Sequence, residues 1–93
     1  MSKRDVFDKT MLSHNRRIRR EVDQDGLCLI TTEDVVLFGR SADFDSNSAS
    51  NYVRERFPQP PLDGFNRDSE TITTFSGINK IVRTVVDCEK SPI

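Results

Sequence analysis

The sequence has few of the residues that build metal and nucleophilic sites. It contains a single histidine, His14, and its two cysteines, Cys28 and Cys88, lie far apart. A zinc site needs clustered ligands, and a nucleophilic serine or cysteine needs an adjacent base. The four glycines are scattered and form no phosphate-binding loop. We therefore expect a protein with no enzymatic activity, no cofactor and no metal, whose cysteines are reduced packing residues.

Long apolar runs are also missing. No stretch reaches the roughly 18 apolar residues that a membrane-spanning helix needs, and residues 1–15 lack the apolar core of a secretory signal. Hydrophobic residues make up 34% of the chain and charged residues 31%, with a formal net charge of −1. This balance excludes a protein that binds a polyanion over its whole surface. We expect a cytoplasmic protein without membrane association, in which residues 1–93 form one domain.

Residues 1–25 have the pattern of a helix. Ser2 and Asp5 fit a capping box, S-x-x-D, in which each side chain satisfies the free backbone N–H of the other residue. Gly26 follows and can adopt the left-handed conformation that ends a helix. The sequence therefore predicts one long N-terminal helix. Its apolar stripe consists of residues at helical spacing, namely Phe7, Met11, Ile18 and Val22.

The middle of the chain predicts an α+β domain. The apolar runs LCLI and VVLFG are separated by TTED, which is typical of a β-hairpin. A polar loop over residues 40–50 leads into a short helix that starts at Ser48 or Ser50. It ends before Pro58, because proline disfavours helix in the preceding residue. FPQPPL is then a stiff connector, and ETITTF predicts a third strand. The predicted order is N-terminal helix, β-hairpin, short helix, third strand and a last element.

Residues 77–88 fit two kinds of last element. Their apolar residues recur at i, i+3, i+4, i+7 and i+8, which favours a C-terminal helix. Most of them are β-branched, which favours a strand. We predict the helix on periodicity; the alternative, a C-terminal strand, gives the order αββαββ. The apolar positions are Ile78, Ile81, Val82, Val85 and Val86.

The most distinctive stretch is HNRRIRREV at residues 14–22. On a helix with Ile18 directed inward, its arginines form an exposed basic ridge beside Lys9. Guanidinium groups bind carboxylates and phosphates through two parallel hydrogen bonds. A plainer interpretation is a solvated face whose arginines pair with nearby acids such as Glu21. The predicted binding residues are Lys9, Arg16, Arg17, Arg19 and Arg20.

These features together predict a non-enzymatic binding protein. We expect a protein-binding regulator or inhibitor, of the accessory kind that phages and mobile elements encode. Its ridge, with the loop at residues 40–50, would dock on the acidic surface of a protein partner. The alternative is a nucleic-acid-binding protein that uses the same ridge; acidic residues at 33–34 and 43–45 would repel a long polyanion and favour the protein partner. A homodimer through the N-terminal apolar stripe also stays open.

Overall fold

The computed structural model describes residues 2–40 and 44–91. These residues form two α-helices and four β-strands in the order αββαββ, which is the alternative order of the predicted α+β domain. The strands form one antiparallel sheet in the order β1-β2-β4-β3, so β1 and β3 are its edges. A 3-10 turn, Ser76–Ile78, joins the last two strands. The elements are α1 (Lys3–Thr10), β1 (Met11–Val22), β2 (Cys28–Phe38), α2 (Ser46–Arg56), β3 (Phe65–Phe75) and β4 (Lys80–Glu89).

Two predicted helices are wrong in whole or in part. The N-terminal helix ends at Thr10 instead of continuing to residue 25, and most of residues 77–88 form β4 instead of a C-terminal helix. β4 lies between β2 and β3 and pairs with both, a position that suits β-branched residues. Adjacent apolar residues such as Val85 and Val86 place one apolar side chain on each face of a strand. The apolar residues of a strand with two apolar faces can thus have the same sequence spacing as those of the predicted helix.

The predicted hairpin is also wrong, because TTED lies in the middle of one strand. Residues 31–34 belong to β2, where they pair with both β1 and β4. The hairpin instead joins β1 to β2 through residues 23–27. There the Asp23 carboxylate accepts hydrogen bonds from the N–H groups of Asp25 and Leu27, both at 2.9 Å. Gly26 adopts a φ of +79°, so the glycine ends a hairpin turn and not a helix.

Two of the predicted helix-end signals are confirmed, namely the capping box at Ser2 and the end of the second helix before Pro58. The Asp5 N–H donates to Ser2 Oγ at 3.3 Å, and the Ser2 N–H donates to the Asp5 carboxylate at 3.4 Å, which is the predicted capping box. The predicted helix start at Ser48 or Ser50 is wrong, because α2 begins at Ser46, within the predicted loop, and the Ser48 N–H donates to the Asp45 carboxylate at 3.3 Å as its cap. This helix ends at Arg56, before Pro58, as predicted. Such signals are reliable because both partners lie within three residues of each other.

Both helices pack on the same face of the sheet, which we call the covered face. The ring centroid of Phe7 in α1 lies 5.3 Å from that of Phe38 in β2 and 5.3 Å from that of Tyr52 in α2. The described residues place no helix over the opposite face, which we call the open face. The core occupies the end of the sheet where β2 ends and β4 begins. It consists of Phe7, Val36, Phe38, Ala49, Tyr52, Val53 and Ile81.

Tyr52 links the two helices through its hydroxyl group, which donates to the Asp8 carboxylate of α1. Burial raises the pKa of Tyr52 to about 12, and the hydrogen bond to Asp8 and the charge of Asp8 add to the shift. Ionisation of this phenol would break the link and place two negative charges side by side. The structure therefore predicts a tyrosine whose hydroxyl group ionises at an unusually high pH.

An ultraviolet absorbance titration measures this pKa directly, since Tyr52 is the one tyrosine of the chain. In the folded protein we expect a midpoint near 12 instead of the ordinary value of 10.0. Asp8→Asn should lower the midpoint, because it removes the neighbouring charge, whereas Asp5→Asn on the same helix should not. An ordinary midpoint in the folded wild-type protein would contradict the buried hydrogen bond.

Candidate functional site

The arginine-rich segment lies on a strand and not on a helix. Residues 14–22 pair with β2 as part of β1. Ile18 and Val22, which were predicted to bury one side of a helix, are 62% and 70% exposed. Because successive side chains of a strand point to opposite faces, the arginines form no single row. The predicted helical ridge is therefore wrong.

The structure divides the five predicted binding residues among three places. Lys9 lies in the last turn of α1. Arg16 and Arg20 lie on the covered-face side of β1, since they are opposite residues of β2 that belong to that face. Arg17 and Arg19 lie on the open face for the corresponding reason. Residues 41–43 of the predicted docking loop lie outside the described residues.

Arg16 is engaged within the protein. Its Nε donates to Asp34 Oδ1 at 2.8 Å, and a terminal nitrogen donates to Asp34 Oδ2 at 3.2 Å. The same terminal nitrogen donates to the Phe57 carbonyl oxygen at 3.3 Å. Because the guanidinium forms a two-pronged contact with a fully buried carboxylate, Arg16 stabilises the fold and is not available to a partner.

Asp34 is the centre of a buried charged cluster. Besides Arg16, it accepts a hydrogen bond from Arg83 at 3.0 Å and contacts His14 Nε2 at 2.8 Å. Arg83 is itself buried and also donates to the Phe57 carbonyl oxygen. The His14 ring stacks on the Phe57 ring with 3.7 Å between centroids. The cluster therefore fastens the chain after α2 to the middle of the sheet.

The surroundings of Asp34 keep it ionised. Burial by itself raises the pKa of this carboxyl, but hydrogen bonds from Arg16 and His14 and the charges of Arg16 and Arg83 outweigh that effect. The pKa of Asp34 is consequently below its ordinary value of 3.8. At neutral pH the cluster contains an anion whose two oxygens both accept hydrogen bonds within the chain.

The same arrangement occurs a second time further along the covered face. Arg67 of edge strand β3 donates from Nε to Asp87 Oδ1 of β4 at 2.7 Å, and from a terminal nitrogen to the Gln59 carbonyl oxygen at 3.1 Å. Each edge strand thus contributes an arginine that joins a buried aspartate to the backbone of residues 57–59. Three buried polar atoms lack a hydrogen-bond partner among the described residues, and such atoms reduce stability. They are Gln59 Oε1, Arg83 Nε and Asp87 Oδ2.

Substitution of Arg16 and Arg20 should separate the structural arginine from the exposed one. Both lie on the same side of β1, yet only Arg16 contacts a buried carboxylate. Arg16→Ala should lower the free energy of unfolding by about 1.5–3 kcal/mol, the range for hydrogen bonds to charged groups. Arg20→Ala should change it by less than about 0.5 kcal/mol. Urea denaturation measures both, and equal losses would contradict the assignment.

The outer edge of β1 is exposed and basic. Among the described residues β1 has β2 as its single neighbour. The N–H and C=O groups of every second residue of β1 therefore point to its outer edge, where they have no sheet partner. Arg17 and Arg20 form no ion pair with any of the described residues. Arg19 lies 3.8 Å from Glu21, and both are exposed, so the contact contributes less than about 1 kcal/mol. These three arginines are the predicted binding residues of β1 that remain accessible; Lys9 is also exposed but lies on α1.

The open face is a second surface, which the sequence analysis did not predict. The strand register places apolar side chains of β2 and β4 on either side of a polar middle row, Glu33 and Thr84, and mostly polar side chains of β1 and β3 at the margins. The signal was present in adjacent apolar pairs such as Val35–Val36, which put an apolar residue on each face. The central apolar residues, all partly buried, are Leu29, Val35, Leu37, Val82, Val86 and Cys88.

Other kinds of site are not found in the part of the chain that the structure describes. There, no group of three or more histidine, cysteine or acidic side chains could hold a metal ion. Cys28 and Cys88 are free thiols. Neither α1 nor α2 has the length and apolar character required to cross a membrane. Comparisons with protein-family models, curated proteins and solved structures give no match, so the indications of function come from the geometry of the sheet.

Proposed function

We propose that the protein is a non-enzymatic binding protein that adds an acidic, extended segment of a protein partner to the outer edge of β1. The observation that carries this proposal is an unpaired edge strand with basic side chains on both of its faces. Extended peptides bind such edges through main-chain hydrogen bonds, and alternate side chains supply the specificity. By occupying a segment of its partner, the protein would act as a regulator or inhibitor.

The length of β1 supports this mode of binding. The strand spans 12 residues, about twice the usual length of a strand. Its outer edge therefore offers main-chain donors and acceptors along more residues than a short peptide strand needs. A register shift lies between Met11 and Ser13, so the regular part of the edge begins at Ser13.

The charges on β1 determine which strand fits. Charged side chains commonly protect an edge strand from pairing with others, and here all of the accessible ones except Glu21 are arginines. Antiparallel pairing with a second β1 would bring arginines together. A partner strand with carboxylates on both faces would instead pair with Arg17 and Arg19 on one side and with Arg20 on the other. Such complementarity speeds association and selects the partner.

The compartment is part of the same proposal. Cys28 and Cys88 are free, and free thiols persist in reducing compartments. We place the protein and its partner in the cytoplasm.

Titration of labelled synthetic peptides tests the proposal. We expect a strand-forming peptide in which pairs of adjacent glutamates alternate with pairs of adjacent valines, so that carboxylates lie on both faces, to bind, while its lysine counterpart does not. N-methylation of every residue in the acidic peptide should abolish binding, because it removes the main-chain donors along both edges of the strand. Arg17→Glu/Arg19→Glu/Arg20→Glu should weaken binding at least about tenfold, equivalent to about 1.4 kcal/mol.

A matched variant controls for net charge. Arg4→Glu/Arg40→Glu/Lys90→Glu changes the same number of exposed charges away from β1 and should bind the acidic peptide as the wild-type protein does. The proposal fails if no acidic peptide binds at about 1 mM. It also fails if duplex or single-stranded oligonucleotides bind in place of the peptide, because the edge would then serve nucleic acid.

A further inference from the structure

We infer that the open face is a self-association surface, which binds the open face of a second copy of this chain. This interface uses the face of the sheet, whereas the proposed peptide site uses the outer edge of β1; Arg17 and Arg19 lie at the border of the two surfaces. The inference rests on the polarity of the two faces, on the area of the open face and on the positions of its charges.

The two faces of the central strands have an unusual distribution of polarity. An antiparallel sheet with one solvated face normally carries apolar residues inside and polar residues outside. Here Asp34 and Arg83 lie buried on the covered face, while the next residue of β2, Val35, and the preceding residue of β4, Val82, lie on the open face. In this part of the sheet the solvent side is more apolar than the interior. A sequence patterned in this way is suited to a sheet that is covered on both faces.

The open face also has the layout of an interface. Its two central strands carry six apolar residues in two groups of three, separated by the polar middle row of Glu33 and Thr84, and its two edge strands carry mostly serine, threonine, asparagine and arginine. Apolar patches enclosed by a polar rim are typical of protein interfaces. Four strands about 4.8 Å apart and about ten residues long outline about 650 Å² per copy. A pair would bury about 1,300 Å², within the range of about 1,200–2,000 Å² found in stable complexes.

The positions of the charges select one twofold arrangement. Arg17 pairs with Glu33, and Glu33 with Thr84, in the middle row of the open face. A twofold axis across the strands would stack Arg17 on Arg17 and Glu33 on Glu33. An axis parallel to the strands, between β2 and β4, places Glu33 over the second copy's Thr84 instead.

The second arrangement also brings two kinds of apolar pair together. Because β2 of one copy then lies over β4 of the other, Val35 faces the second copy's Val82, which is its own row neighbour within one copy. In the same way Leu29 faces the second copy's Cys88. Every contact occurs twice, as a twofold interface requires. Sheets stacked about 10 Å apart leave the outer edge of β1 open, so the dimer and the peptide site are compatible.

Sedimentation equilibrium on the full chain tests the inference. We expect the wild-type protein to be a dimer at about 100 μM and to dissociate on dilution. Val82→Glu, which places a charge at the centre of the open face, should raise the dissociation constant at least about thirtyfold, the effect of a central contact. Ile18→Glu makes the same change in charge at an exposed apolar residue on the other side of β1 and should leave the dimer intact.

Circular dichroism establishes whether each variant is folded. If Val82→Glu does not fold, Val35→Thr/Val82→Thr keeps the β-branched shape and should still weaken the dimer. A monomeric wild-type protein would overturn the inference, as would a dimer that persists in the folded open-face variant. Loss of the dimer in Ile18→Glu would also overturn it, because association would then occur through the edge of β1.

Discussion

Asp34→Ala is expected to lower the free energy of unfolding by about 3–5 kcal/mol, as removal of one member of a buried ion pair does. The loss arises because a charged side chain stays buried without its partner. Arg16 and His14 are partly exposed and can turn towards water, but Arg83 is 1% exposed and would remain buried without its carboxylate. For a domain of this size the loss is a large share of the total stability. Chemical denaturation followed by circular dichroism measures it.

A double variant controls for the origin of the loss. If the uncompensated charge of Arg83 is responsible, Asp34→Leu/Arg83→Leu should recover much of the stability, since apolar residues often replace a buried ion pair at little cost. If the double variant loses at least as much free energy of unfolding as the two single variants together, the unpaired charge of Arg83 is not the cause. The hydrogen bonds that Arg16 and Arg83 donate to the Phe57 carbonyl oxygen would then contribute more to stability than the ion pair.

Phe7→Ala is expected to have an effect of similar size, about 3–5 kcal/mol, as for other buried phenylalanines. Phe7 is the buried residue of α1, and its ring packs between those of Phe38 and Tyr52. An eight-residue helix is unstable by itself, so α1 should detach and the helical circular dichroism signal should fall. Urea denaturation gives the stability change.

A second apolar side chain nearby serves as the control. Leu12 follows α1 and is 71% exposed, so Leu12→Ala should change the free energy of unfolding by no more than about 0.5 kcal/mol. Similar losses for Phe7→Ala and Leu12→Ala would mean that α1 is not fastened to the sheet through its phenylalanine.

The parts of the fold that could be predicted from the sequence are those determined by neighbouring residues. The capping box at Ser2, the end of α2 before Pro58 and the strand around ETITTF all depend on residues a few positions apart. Residues 14–22 and 77–88 depend on distant partners instead. Their spacing suits a helix, but each finds a complementary strand in β2, and tertiary pairing outweighs local pattern.

The candidate site was predictable in composition and not in geometry. The sequence identified the arginines of residues 14–22, and three of them are accessible. It did not indicate that Arg16 would bind the buried Asp34, because that contact depends on the register between β1 and β2. Arg83 lies 49 residues from Asp34 along the chain, and no local pattern connects them.

The position of β4 has a consequence for the synthesis of this protein. β4 follows all other strands in the chain, yet it lies inside the sheet, between β2 and β3. A nascent chain that has not yet released β4 from the ribosome leaves one side of β2 unpaired and leaves β3 without its neighbour in the sheet. The sheet is therefore completed after β4 has left the ribosome, and chains terminated before residue 80 should be prone to aggregation.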